Sequence, residues 1–593
     1  MAIVCCSYLL AGKTAVNAEV DRFYVLKLKK LQSEVLSFQQ QTKANAPQKT
    51  LKERFLQMRH AYKELAVLTD FFNPYETKQI NGPAMARVEE DHPTVVLEPH
   101  GFGVLEEQIF LKKEINKTIV LQEADYVLRI INRLMEEPDR IHKFSSERVW
   151  QAMHAAIIRV VTLGITGFDS PLAQHSIPEA RASIFSLSGL FQLYQNDVPA
   201  YQKEILESLL KDAIRYLEQH EDFNSFDRLH FIRTYANPIT HSITTIRKEK
   251  AWIIGNERAP LNPEAANLFA EDAFDVSFFS PNERYRVTPE RIELGRRLFY
   301  DPSLSATGSR SCASCHQPEK AFTDGRKKPL SLDGKTTLLR NTPGLWNTVF
   351  QTRQFYDSRT LTLENQLSDV VHNTDEMKGS LKESIGKLGA DPLYAGLFSR
   401  AYGNQKEPVT EYSIANAISS YVRSLVALNS RFDQYMRGNN GALNKKEQKG
   451  FNLFAGKAKC ATCHFIPLFN GLVPHEFHET ESEVLGVPAI GSKRKATLDP
   501  DEGKAGFTKA TVHRFAFKTP TLRNVELTAP YMHNGVFATL EEVLHFYNKG
   551  GGAGLGIAPP NQTLPAQKLR LSLKEQQQVI AFMKALTDTT THR

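Results

Sequence analysis

Four of the six cysteines fall as two Cys-x-x-Cys pairs, each followed at once by a histidine: Cys312-Ala313-Ser314-Cys315-His316 and Cys460-Ala461-Thr462-Cys463-His464. A disulfide framework has no need of that histidine, and a tetrahedral metal site would not need it at the same offset twice. Two zinc sites or two redox Cys-x-x-Cys elements are the alternative reading of the residue types. The full string suits c-type haem attachment. Two thiols add to the vinyl groups of one porphyrin, and the adjoining imidazole turns back as an axial iron ligand. The protein then tunes the iron through whatever occupies the opposite face. On this reading Cys312, Cys315 and His316 hold one haem, and Cys460, Cys463 and His464 hold a second. Covalent attachment takes place outside the cytoplasm, which points to the periplasm or its membrane face.

The elements that must position these motifs are mainly helical. Tyr24, Leu28, Leu31, Val35 and Phe38 recur at steps of four and three, and Leu51, Phe55, Met58, Tyr62 and Leu65 repeat the pattern. Each set lines one face of a helix. Similar patterns run through 103–135, 144–162, 183–193 and 199–219, so residues 20–245 read as a helical domain without a recognisable site. His154, His175, His220 and His230 are scattered there and read as ordinary core or surface residues. A looser, proline- and asparagine-rich stretch over 246–285 reads as a linker. Thr288-Pro289-Glu290 then marks a helix start, with proline in the first turn. Gly438 and Gly441 mark a further boundary, dividing 286–440, around the first motif, from 441–593, around the second. The expected fold is two cytochrome-c-like haem domains preceded by an α-helical domain.

The 593 residues exceed what one hydrophobic core supports, and 73 basic against 66 acidic side chains leave a net charge of only +7. No Lys/Arg block tracks a phosphate backbone, so no nucleic-acid partner is expected. Residues 1–19, apolar and rich in small side chains but lacking a basic start, read either as an export signal or as a short apolar segment. The Cys5-Cys6 pair there offers a lipid-anchor site. No apolar run of spanning length follows.

Several further motifs resemble the bacterial di-haem cytochrome c peroxidase superfamily, including its MauG-like, methylamine-dehydrogenase-maturation branch. They are AFTDGR at 321–326, LLRNTPGLWN at 338–347, QFYDSRTLTLENQ at 354–366, HNTDEM at 372–377, FKTPTLRNVELTAPYMHNG at 517–535 and ATLEEVLHFYNKGG at 538–551. The resemblance covers about 285–585. It implies that the first haem meets hydrogen peroxide, that Glu376 acts on the peroxide as acid and base, and that Gln366 orients it. It also implies that Tyr547, rather than a methionine, is the distal ligand of the second haem, with His545 and Met532 as lesser neighbours. Tyr356 would assist electron transfer between the haems. A calcium ion would be held by the side chain of Asn341 and the carbonyls of Thr528 and Pro530. The residues 317–339 contain no histidine, so the first iron is expected to be open or water-bound; His372 is the nearest later histidine. Two departures stand out. Tyr356 replaces the family's usual tryptophan, and Val370 stands where the maturation enzyme has proline, so tryptophylquinone formation is not implied.

The function implied is reduction of hydrogen peroxide to water, with electrons from a small cytochrome c or cupredoxin. The alternatives are MauG-like oxidation of a protein or small molecule through a high-valent haem pair, and a non-enzymatic electron-transfer module. The helical region would then dock a partner.

Overall fold

A computed structural model describes residues 2–88, 95–138, 140–253, 258–403, 406–491 and 496–588. The side chains of the first fifteen residues lie outside the described set, and with them the export and anchor readings of Cys5 and Cys6. The chain divides into two compact units, residues 1–273 with 454–462 and residues 274–453 with 463–593. Both are mainly helical. No helix among the described residues is long and apolar enough to cross a membrane.

In the first unit the Gln48–Phe72 helix packs against the Ala2–Lys43, Ser146–Arg159 and Ser176–Gln192 helices. The two stripes read from the sequence are its core: Tyr24, Leu28, Leu31, Val35 and Phe38, and then Leu51, Phe55, Met58, Tyr62 and Leu65, are all buried. Among these helices lies a buried ionic network that the apolar periodicity does not announce. Arg59 forms a bidentate pair with Glu179 at 2.8 and 2.6 Å. Lys63 meets Asp169 at 2.6 Å, and Arg159 bridges Asp169 and Asp70. Three cations and three carboxylates satisfy one another, as buried charge requires. All of them except Arg59 line a cavity of about 20 Å³, room for one water.

The second unit is built around two similar helix crossings. Helix Pro289–Tyr300 packs on helix Glu411–Ser424, with Gly295 directly against the backbone of Ala417. Helix Lys445–Phe454 meets helix Leu573–Ala585 in the same way, with Gly450 against the backbone of Gln578. At either glycine a Cβ would overlap the facing backbone, so only glycine permits the approach. The first crossing is sealed by Leu294, Leu298, Phe299, Ile414 and Ile418. The second is sealed by Phe432, Phe451, Phe469 and Phe582, whose ring centroids lie 5.3–5.7 Å apart. Among the described residues the only strands of this unit are a three-residue antiparallel pair, Ser482–Val484 with Ala516–Lys518. They are too short to show as alternation in the sequence.

Near these crossings lie two buried, bidentate ion pairs. Arg423 holds Glu364 at 2.6 and 2.8 Å, with Asn416 as a further donor. Arg523 holds Asp433 at 2.8 Å through both oxygens. Glu364 begins the Leu363–His372 helix that carries Gln366, so this pair fixes the helix from within the core. Glu364→Ala leaves Arg423 charged, buried and unpaired. It is expected to destabilise the unit by about 3–5 kcal/mol, read as a lower denaturant midpoint at unchanged slope.

Candidate active site

The two Cys-x-x-Cys-His segments adopt the same local form. Cys312–Ser314 and Cys460–Thr462 are each a single 3₁₀ turn. At the first, Ser311 and Ser314 cap one another, and the backbone N–H groups of Cys315 and His316 both return to the carbonyl of Cys312. That turn brings the pair of thiols and the imidazole to one place. His316 donates through Nδ1 to the carbonyl of Phe322 at 2.9 Å. His464 makes the equivalent bond to the carbonyl of Pro520 at 3.1 Å, with that of Phe469 at 3.3 Å. A backbone acceptor on Nδ1 fixes the tautomer and leaves Nε2 as the lone-pair nitrogen. Burial lowers the pKa of both rings, that of His464 to about 4, so both stay neutral.

None of the four motif cysteines is in a disulfide, and all are half-buried. Burial pushes the Cys312 and Cys460 thiols up to about 12, so they remain protonated. Paired unoxidised thiols beside a neutral imidazole with one free nitrogen fit c-type haem attachment. Among the described residues no cluster of three or more His, Cys, Asp or Glu side chains is placed to hold a metal ion.

Glu376 sits in the turn that follows the Leu363–His372 helix, and it is half-buried. Asn373 organises that turn. Its carbonyl receives the N–H groups of Glu376, Met377 and Lys378, its Oδ1 receives that of Asp375, and its Nδ2 donates to Glu376 Oε1 at 2.8 Å. Arg310, two residues before Cys312, donates to the carbonyls of Glu376 at 3.3 Å and Ser331 at 2.9 Å. The backbone of Ala306 bonds that of Met377 at 3.1 Å. The turn is thereby tied to the segment leading into the first motif, and the charge of Glu376 is felt at Cys315. Burial raises the carboxyl pKa of Glu376, against the pull of Arg359, the Asn373 amide and Arg310, while Asp375 adds to the rise.

Gln366 and Val370 are half-buried one helical turn apart on the same helix. His372 is exposed and bonded to the carbonyl of Ser368. Arg310, Asn373 and Arg359 escaped the sequence reading as contributors, although Asn373 and Arg359 lie inside quoted motifs and Arg310 just ahead of one. What a single sequence lacks is the distance that makes them neighbours.

Tyr356 donates its hydroxyl to Asn341 Oδ1 at 3.4 Å, and burial pushes its phenol well above the ordinary range. The amide of Asn341 is oriented by donation from Nδ2 to the carbonyl of Arg326 at 2.8 Å, and its backbone N–H bonds the carbonyl of His533. Thr528 and Pro530 are half-buried on the loop that leads to His533. Beside them Arg340 spans Asp357 and Asp501 at 2.6–2.9 Å.

Tyr547, on the Leu540–Asn548 helix, packs with Val543, Tyr531 and Met532 against Val487, Val536, Phe537 and Phe546. Met532, read from the sequence as a lesser neighbour, therefore shares one apolar cluster with Tyr547. His545 is exposed, as expected two residues away on a helix.

The family profile described as di-haem cytochrome c peroxidase matches residues 289–441. The methylamine utilization protein MauG of Methylorubrum extorquens is 35% identical over 300 residues, which are 51% of this chain and 79% of that protein. The cytochrome c551 peroxidase of Nitrosomonas europaea is 32% identical over 304 residues, 51% of this chain and 82% of that protein. Among solved structures, a MauG-like protein associated with microbial copper homeostasis is 31% identical, with a TM-score of 0.48 over 53% of this chain and 94% of that one. These relatives account for about half of the chain. With 35% identity across most of the length of a MauG protein, the chain belongs to the bacterial di-haem cytochrome c peroxidase and MauG superfamily of c-haem oxidoreductases.

Proposed function

We propose that the protein is a periplasmic peroxidase that reduces hydrogen peroxide to two waters, taking two protons and two electrons. The electrons arrive one at a time from a small cytochrome c or cupredoxin. Cys312, Cys315 and His316 would hold the first haem, and Cys460, Cys463 and His464 the second, which Tyr547 would also ligate. Asn341, with the carbonyls of Thr528 and Pro530, would hold a calcium ion through hard oxygen donors. When bound, the haems would supply redox-active iron that takes up and passes on the donor's electrons.

The single observation that carries this reading is Glu376: a half-buried carboxyl, gripped by Asn373 and clamped through its own carbonyl by Arg310 next to the first motif. A passive electron relay has no use for such a group. Its carboxylate takes a proton from one peroxide oxygen and delivers one to the other, which leaves as water. Gln366 orients the peroxide by hydrogen bonds, and Tyr356 assists electron transfer between the two haems. The test is steady-state oxidation of a reduced small cytochrome c by hydrogen peroxide. No peroxide-dependent oxidation by protein carrying both haems would overturn the reading. A MauG-like oxidation of a protein or small molecule is the second reading, favoured by a tyrosine in the Leu540–Asn548 helix where a thioether would otherwise stand.

As a base Glu376 works ionised, so activity is present above its pKa and falls as pH drops through it. Asn373 donates to the carboxylate and holds that pKa down. Asn373→Ala is expected to move the acid limb of the kcat/KM profile to higher pH. An unmoved limb would remove Asn373 from this role.

A further inference from the structure

Glu483 belongs to no motif and enters no step above. It lies on the Ser482–Val484 strand, opposite Phe517. The partner strand runs on to Pro520, whose carbonyl holds His464 Nδ1. This two-stranded ribbon thus meets the second attachment motif twice, once at the histidine and once at Cys463, whose Sγ donates to Glu483 Oε1 at 3.2 Å. The other oxygen, Oε2, accepts from the hydroxyl of Thr563. Thr563 is locked in turn, accepting from the N–H of Val484 at 2.9 Å and donating its own N–H to the carbonyl of Val484. The carboxyl is therefore held in place from the side away from the cysteine.

Thioether formation sends the thiol proton to the vinyl carbon, so Oε1 loses its donor while Oε2 keeps Thr563. A carboxyl is left one sulfur atom from the porphyrin rim. The two motifs differ here. Around Cys315 the charges of Arg310 and Arg326 balance those of Asp324 and Glu376. Among the described residues no cation pairs with Glu483. Burial, the same cause that raises its pKa, also keeps water from screening its charge.

We propose that Glu483 sets the charge at the edge of the second haem, lowering that haem's reduction potential relative to the first and biasing it toward the ferric state. Where the carboxyl is ionised, reduction adds an electron next to a negative charge, which costs more where the site is buried. The inference rests on the reading of Cys463 and His464 as an attachment site.

The experiment uses the full chain carrying both haems, titrated spectroelectrochemically over a pH series that ends at pH 9, because burial raises the carboxyl pKa. In Glu483→Gln the second haem should be at least tenfold easier to reduce at a fixed ambient potential, about 59 mV upward per tenfold for one electron, with the first haem unmoved. Glu483→Ala should reproduce the shift, and Glu483→Asp, which keeps the charge, should stay near wild type. Coincident second-haem potentials in wild type, Gln and Ala would overturn the proposal. Haem content is counted first: wild-type protein with fewer than two haems per chain would sink the attachment reading instead, so the two failures are distinct.

Discussion

Glu376→Gln should lower peroxide turnover by about 10²–10⁴-fold while leaving both haems attached. That range is what a positioned acid–base group contributes. The amide is nearly isosteric, and its oxygen still accepts from Asn373, which holds Glu376 Oε1 at 2.8 Å in the wild type. The clamp from Arg310 acts on the backbone carbonyl and does not depend on the side chain. A loss of activity therefore reports lost proton transfer rather than a collapsed turn. A second signature should accompany it. Burial raises the carboxyl pKa in the wild type, so wild-type activity falls as pH drops through that value, and the acid limb should vanish in the variant. Stopped-flow mixing of haem-loaded protein with peroxide, followed by steady-state assays across pH, measures both. Unchanged turnover with a retained acid limb would assign the proton chemistry elsewhere.

Tyr547→Met should raise the reduction potential of the second haem by a sizeable part of the roughly 0.8 V span that axial ligands command. A phenolate stabilises ferric iron, whereas a thioether favours ferrous iron. The substitution exchanges two side chains that both suit the half-apolar cluster around Val487, Phe537 and Phe546, so the surrounding helix should persist. Met532 shares that cluster and supplies the control. If Tyr547 is the ligand, Tyr547→Met changes the oxidised spectrum and Met532→Leu does not. The reverse pattern would give the ligand role to Met532, and no change in either would leave the second iron with a ligand from another element.

The attachment motifs were legible because their chemistry is local. Two thiols and an imidazole that are to reach one porphyrin must share a single turn, and each motif forms such a turn, so the spacing survives as a string. The core stripes of the first unit were legible for a related reason, since a helix repeats its buried face every three or four residues. The contacts around Glu376 were not. Arg310 and Glu376 stand 66 residues apart, and nothing in either segment names the other. The same holds for Arg59 and Glu179, 120 residues apart, whose charges look solvent-bound in a linear reading and lie buried together in the fold. The strand pair that carries Glu483 to Cys463 is only three residues long on each side, below the length at which alternation can be counted.

By itself, the sequence determined where the two Cys-x-x-Cys-His strings lie, that the chain is mainly helical, and which helical faces are apolar, because local spacing and backbone periodicity act over a few residues. The tertiary structure alone decided which charges face which: Arg310 and Asn373 on Glu376, Glu364 under the Gln366 helix, Glu483 beside Cys463. Electrostatics acts through space, and proximity in space is set by packing between segments that the chain order leaves far apart.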